Sequence, residues 1–156
     1  MASKYMTLEG GKMVLKPLDD IPVEALTEFE AFASDNNQST TTNGWATKSG
    51  YPYTTDIKSA GQYVVDFTAE VGQSDKFKQV GFRVQWRQGT SGGWNTLSVT
   101  KNGVSTDGEY ALRSGFRLIN LPVTTNFQVR LQWGQTDDGG SGFIKNAGIK
   151  IGKVAE

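Results

Sequence analysis

The sequence predicts an all-β protein, an antiparallel sandwich preceded by a short leader, on three observations. Apolar and polar residues alternate with a period of two over most of the chain after Thr40. Nineteen glycines in 156 residues supply turns and tight sheet corners. Turn signals recur every 8–12 residues or so, and no helical crossovers of the kind a parallel sheet needs lie between the strands. A chain of this length holds one core.

The alternation gives the strands. Tyr63, Val65, Phe67, Ala69 and Val71 alternate with Val64, Asp66, Thr68 and Glu70, and Val80, Phe82, Val84 and Trp86 with Gly81, Arg83, Gln85 and Arg87. Tyr110, Leu112, Phe116 and Leu118 form an apolar side against Arg113, Gly115 and Arg117, as do Phe127, Val129, Leu131 and Trp133 against Gln128, Arg130 and Gln132. Short strands over 40–47 and 53–57 precede these, and a last strand over 143–154 follows the polar loop at Asp137-Asp138-Gly139-Gly140. Asn102-Gly103, between 94–100 and 104–106, has the residue types of a two-residue hairpin, with Asp107-Gly108 turning the chain again. Seven to nine strands result.

Residues 1–37 read as a leader and 38–156 as the sandwich domain. Lys12 to Leu18 is an extended piece, and Asp19-Asp20 is placed to cap a helix over 23–32 with Pro22 in its first turn, because Val23, Leu26, Phe29 and Phe32 recur every three residues. A helix so short buries little on its own, so Val14, Leu15, Leu18, Ile21, Leu26, Phe29 and Phe32 are expected to pack on a neighbour as an assembly arm. The leader carries three lysines against seven carboxylates, the rest 13 basic against nine acidic residues, and the whole chain is neutral. The two regions therefore attract each other or complementary neighbours, while no overall field recruits nucleic acid or an anionic membrane. No apolar stretch suits a signal peptide or a membrane helix, so synthesis in a cytoplasm is expected.

The composition argues against catalysis. There is no histidine, hence no imidazole base and no usual zinc site, and no cysteine, hence no disulfide or thiolate chemistry. Asp19-Asp20 and Asp137-Asp138 read as caps or turns, and Gly89-Thr90-Ser91-Gly92-Gly93 has the composition of a phosphate loop but neither its lysine nor its helix. No cofactor or metal is expected. All five arginines, Arg83, Arg87, Arg113, Arg117 and Arg130, fall at polar strand positions. They make either a solvated sheet face or a guanidinium surface that docks carboxylates in bidentate pairs. Trp86 and Trp133 continue apolar strand faces, whereas Trp45, Tyr51, Tyr53 and Trp94 lie near strand starts or loops, where interface packing, ligand stacking and edge packing are equally open to them.

Ser39-Thr40-Thr41-Thr42, Ser59-Ala60-Gly61-Gln62-Tyr63, Phe82-Arg83-Val84-Gln85, Ser114-Gly115-Phe116 and the closing Ile144-Lys145-Asn146-Ala147-Gly148-Ile149-Lys150-Ile151 carry a resemblance. Over about residues 39–154 the chain resembles the jelly-roll domains, of tumour-necrosis-factor and complement-globular type, that recur in virion proteins of tailed bacteriophages. The resemblance implies a jelly roll of about eight strands, a homotrimer, and a capsid decoration or cement role on the virion surface, with the major capsid protein and neighbouring copies as partners. It equally admits a carbohydrate- or receptor-binding module of a tail or fibre, for which Trp45, Tyr51, Tyr53 and Trp94 are the stacking candidates. The leader, in place of a fibre shaft, favours decoration.

Overall fold

The computed structural model describes residues 4–9, 12–17, 26–41, 44–75, 79–103, 110–135 and 140–155. Every regular element among them is a strand: β1 (Lys4–Glu9), β2 (Lys12–Pro17), β3 (Leu26–Ser34), β4 (Gln38–Thr40), β5 (Ala46–Thr47), β6 (Tyr53–Thr54), β7 (Gly61–Gln73), β8 (Gln79–Gln88), β9 (Asn95–Gly103), β10 (Tyr110–Leu121), β11 (Phe127–Gln135) and β12 (Gly142–Val154). β1 and β2 form a hairpin sheet of their own, with Val14 and Leu15 paired to Thr7 and Met6. The other ten make two antiparallel sheets. One runs β10-β7-β12-β3, with β4 also on β12; the other runs β9-β8-β11-β5, with β6 also on β11. The chain crosses between the sheets from β7 to β8, β9 to β10, β10 to β11 and β11 to β12, as in a jelly roll, while β8 and β9 are neighbours in one sheet.

The core lies between the two sheets and follows the alternation. Tyr63, Val65, Phe67, Ala69 and Val71 from β7 meet Val80, Phe82 and Val84 from β8 and Phe127, Val129, Leu131 and Trp133 from β11, all buried, with Ile144, Ala147, Ile149 and Ile151 from β12. The Trp133 indole donates to the Gly142 carbonyl at 3.2 Å, and Trp86 packs edge-on to Phe127 at the margin of the core.

Three expectations are corrected. The segment 26–32, expected as helix, is strand β3 paired to β12. Its inward positions are Glu28, Glu30, Phe32 and Ser34, so the period of two is written mostly in polar residues, and the spacing of Phe29 and Phe32 misleads because Phe29 points out and is 50% exposed. Asn102 and Gly103 are not a hairpin turn: they pair with Val80 and Gln79, because β8 extends far enough to satisfy their backbone groups. The expected strand 104–106 and turn at Asp107-Gly108 lie outside the described residues, as do Leu18, Ile21 and Asp137-Asp138. On β10 the expected apolar side is the wrong one. Ile119 and Leu121 are buried, whereas Leu112 and Leu118 are 57% and 58% exposed. Gly115 fixes this choice, since a Cβ there would stand 2.9 Å from the Phe67 ring that covers it.

β3 is pinned by its carboxylates. Glu28, on a bulge with φ of 52°, accepts from the Ser59 amide at 2.9 Å and from the Ser59 hydroxyl, and its Oε2 lies 2.9 Å from the Tyr63 hydroxyl. Lys153 reaches Ser59 Oγ at 2.7 Å. Glu30 accepts from Tyr53 at 2.9 Å and from the Asp56 amide at 3.1 Å, and forms a 2.5 Å ion pair with Lys58, both side chains being largely buried. Phe32 stacks on Tyr53 at 4.9 Å and meets Tyr51 edge-on at 5.1 Å. Behind it Lys48, fully buried, donates to Ser34 Oγ at 3.2 Å and to the Asn36 carbonyl at 2.8 Å, tying the β3–β4 connection to β5. Burial pushes its pKa down, and Asp35 works against that.

Burial alone would raise the Glu28 pKa, but the bonds from Ser59 and Tyr63 and the charge of Lys153 outweigh it and hold it below the usual 4.5. A depressed folded-state pKa means stability present above about pH 4.5 and lost as pH falls through the folded value. Glu28→Gln should therefore destabilise the domain by about 1–3 kcal/mol at neutral pH, with the gap to wild type closing in acid; chemical denaturation across pH 3–7 checks it. Gly134 gives a second test. A Cβ there would lie 1.5 Å from the Gly44 carbonyl oxygen, whereas one on Gly93 would meet nothing. Gly134→Ala should lower stability by about 1–3 kcal/mol and Gly93→Ala should leave the melting temperature unchanged.

Candidate functional site: an arginine–glutamine face

The register of β8 and β11 builds the polar face. Arg83 lies opposite Gln132, Gln85 opposite Arg130, and Arg87 opposite Gln128. Their neighbours Phe82, Val84, Val129 and Leu131 point into the core, so these six side chains emerge on the outside of the sheet. Each arginine meets a glutamine across the strands. Arg83 Nε donates to Gln132 Oε1 at 2.7 Å, Arg87 Nε to Gln128 Oε1 at 2.8 Å, and Arg130 Nε and Nη2 to Gln85 Oε1 at 3.0 and 2.6 Å. The glutamine amides pass the bonds outward to Thr47 on β5 at 2.9 Å, Thr54 on β6 at 2.7 Å and Thr96 on β9 at 3.0 Å. The network spans the sheet.

Two tryptophans hold the guanidiniums from the side. Arg83 lies over Trp45 at 4.5 Å, and Arg87 and Arg130 over Trp94 at 4.5 and 4.0 Å. Gly134 allows the first contact, because the chain leading into β5 crosses it so closely. Glutamine oxygens and indole faces stabilise a guanidinium without cancelling its charge. Among the described residues no carboxylate lies within ion-pair distance of Arg83, Arg87 or Arg130. Burial pushes the pKa of Arg83 down, and burial together with the neighbouring charges of Arg83 and Arg87 does the same to Arg130. Among the described residues the face is a preorganised triple cation without a counter-charge.

The structure divides the candidates read from sequence. Arg113 and Arg117 stand apart on β10, where Arg117 Nε bonds the Leu97 carbonyl at 3.0 Å and each guanidinium also bonds a carbonyl of its own strand. Trp45 and Trp94 belong to the cationic face. Tyr51 and Tyr53 instead pack with Phe32, and Tyr53 is pushed up to about 12 by burial and by Glu30. Leu26 pairs with Val154, and Phe29 and Phe32 follow it in β3, within the sandwich sheet. Gln85, Gln128 and Gln132 read in the sequence only as polar strand positions; the signal of their role is that Arg-x-Gln-x-Arg on one strand and Gln-x-Arg-x-Gln on the other are complementary once the strands are antiparallel. Among the described residues no cluster of three His, Cys, Asp or Glu could hold a metal.

No protein-family model and no curated protein matches this sequence. Solved structures do. Infectious bursal virus-derived T=1 particles match with a TM-score of 0.57 at 10% identity, over 96% of this chain and 36% of that one. The Gx strain of infectious bursal disease virus matches with a TM-score of 0.55, again at 10% identity and over 96% and 36% of the two chains. The chain shares the jelly-roll fold of these viral capsid proteins. It spans little more than a third of their length. A tumour-necrosis-factor homologue, Eiger from S. frugiperda, is a weaker likeness at a TM-score of 0.45.

A face short of negative charge should welcome one. Gln85→Glu puts a carboxylate against Arg130 and leaves Thr96 able to donate to it, so it should raise the melting temperature by a few degrees at low salt and less at 1 M salt. Gln85→Ala should lower it. Equal destabilisation by both variants would show that the three cations are not mutually repulsive in the folded protein.

Proposed function

We propose that the chain is a non-enzymatic structural protein of a virus particle, a decoration protein that coats the outer surface of a tailed-phage capsid as a trimer. The observation that carries the reading is the outer face of β10. This edge strand presents Tyr110, Leu112, Phe116 and Leu118 along one side, with both leucines more than half exposed. An apolar row on a sheet edge is an association hazard unless a neighbour covers it. A second copy is the neighbour that a homo-oligomer supplies. The capsid jelly-roll fold is compatible with this role, and fold alone does not assign it.

Coating stabilises a shell by mass action, because each bound copy favours the assembled state, and many modest contacts add through avidity. The leader supplies the arm to the capsid in this reading. The described part of it beyond Leu26 is committed to the sandwich as β3, so the clamp falls to the residues before it. A second reading, a glycan- or receptor-binding module, draws on Trp45 and Trp94, two half-buried rings set among glutamine and arginine on the outer side of the sheet.

Multi-angle light scattering should return a trimer, and Leu112→Asp with Leu118→Asp should convert it to a monomer of nearly unchanged secondary structure. Deleting residues 1–25 should leave a folded domain that no longer cosediments with capsids. A wild-type monomer at high concentration, or full coating by the truncated chain, would overturn the decoration reading.

A further inference from the structure

The three cations of the arginine–glutamine face are spaced like the side chains of an extended peptide. Arg130 stands opposite Gln85, midway between Arg83 and Arg87 on the adjacent strand. Same-face positions along a strand repeat at about 6.6 Å. Projected on the strand axis, the Cα atoms of Arg83, Arg130 and Arg87 therefore fall at 0, about 6.6 and about 13 Å, in a zigzag one strand spacing wide. An extended peptide places every second side chain on one face at that same interval.

We infer that this face is a docking site for an extended acidic segment of a partner protein, one carrying carboxylates at alternate residues. Charge complementarity selects the anion, since three guanidiniums share the face and no carboxylate among the described residues answers them. The register selects the spacing. The guanidiniums are held in advance, each with its Nε on a glutamine oxygen and its central carbon over an indole, so little side-chain freedom remains to be lost on binding. Terminal nitrogens of Arg83, which the network among the described residues leaves uncommitted, are suited to bidentate contact with a carboxylate. Trp45 and Trp94 act here as clamps on the arginines. Each ring already carries a guanidinium, which makes it a poorer platform for a neutral sugar. The site rests on the sheet face itself and not on the trimer or the capsid reading, so it can fail or stand separately from them.

The test uses the full-length protein and two blocked heptapeptides of equal charge, Thr-Glu-Thr-Glu-Thr-Glu-Thr and its isomer Thr-Thr-Glu-Glu-Glu-Thr-Thr, read by calorimetry and by tryptophan fluorescence at low salt. The alternating peptide should bind about tenfold more tightly than the isomer, perturb the fluorescence of Trp94, and weaken steeply as salt rises. Arg130→Gln should abolish that preference, and Arg83→Gln, at the end of the row, should reduce it if the first variant fails to fold. Arg113→Gln, off the face, should change nothing. Equal binding of the two peptides, binding of neither, or tighter binding of a uronate oligosaccharide of the same charge would overturn the proposal.

Discussion

The register between β8 and β11 is the constraint from which most of the molecule follows. Because side chains alternate across a strand, a single alignment sets both faces at once. On the inside it brings Phe82 and Val84 against Val129 and Leu131 in the core, and on the outside it sets each of Arg83, Gln85 and Arg87 against its complement on β11. A slip of one residue would bury the guanidiniums and expose the phenylalanine. The core thus fixes the arginines and glutamines of the polar face, while the two tryptophans against them come from the segments leading into β5 and β9.

Two groups of charges sit on this framework, handled in opposite ways. The carboxylates of β3 are neutralised internally: Glu28 by Ser59, Tyr63 and the nearby Lys153, Glu30 by Tyr53 and Lys58. That arrangement turns a polar strand into a firmly attached edge of the sandwich. The arginines of the opposite sheet are paired with neutral glutamines and tryptophans, which satisfy their geometry and leave their charge. A chain with no net charge accordingly carries a closed acidic seam and a half-buried basic face whose charge no described carboxylate answers.

Much of the sandwich was legible in the sequence, because long strands with one buried face must alternate. The strands through Val65, Phe82, Leu131 and Ile149 are of this kind. The failures fall where another element overrode the local pattern. β3 reads as a short helix because its inward positions hold glutamates, whose partners Ser59, Tyr63 and Lys58 lie some thirty residues away in sequence. β10 shows apolar residues on both sides of the strand, and only the Phe67 ring lying over Gly115 decides which side is interior.

By itself the sequence determined an all-β fold, the strands that build its core, and the absence of the imidazole and thiol groups on which most catalytic sites rely, since these follow from composition and from a period that any sheet must obey. Only the tertiary structure decided which arginines stand together, because that depends on which strands become neighbours and in what alignment. Arg83, Arg87 and Arg130 meet across a ladder between residues more than forty positions apart, while Arg113 and Arg117, equally spaced in sequence, are carried off to the edge of the other sheet.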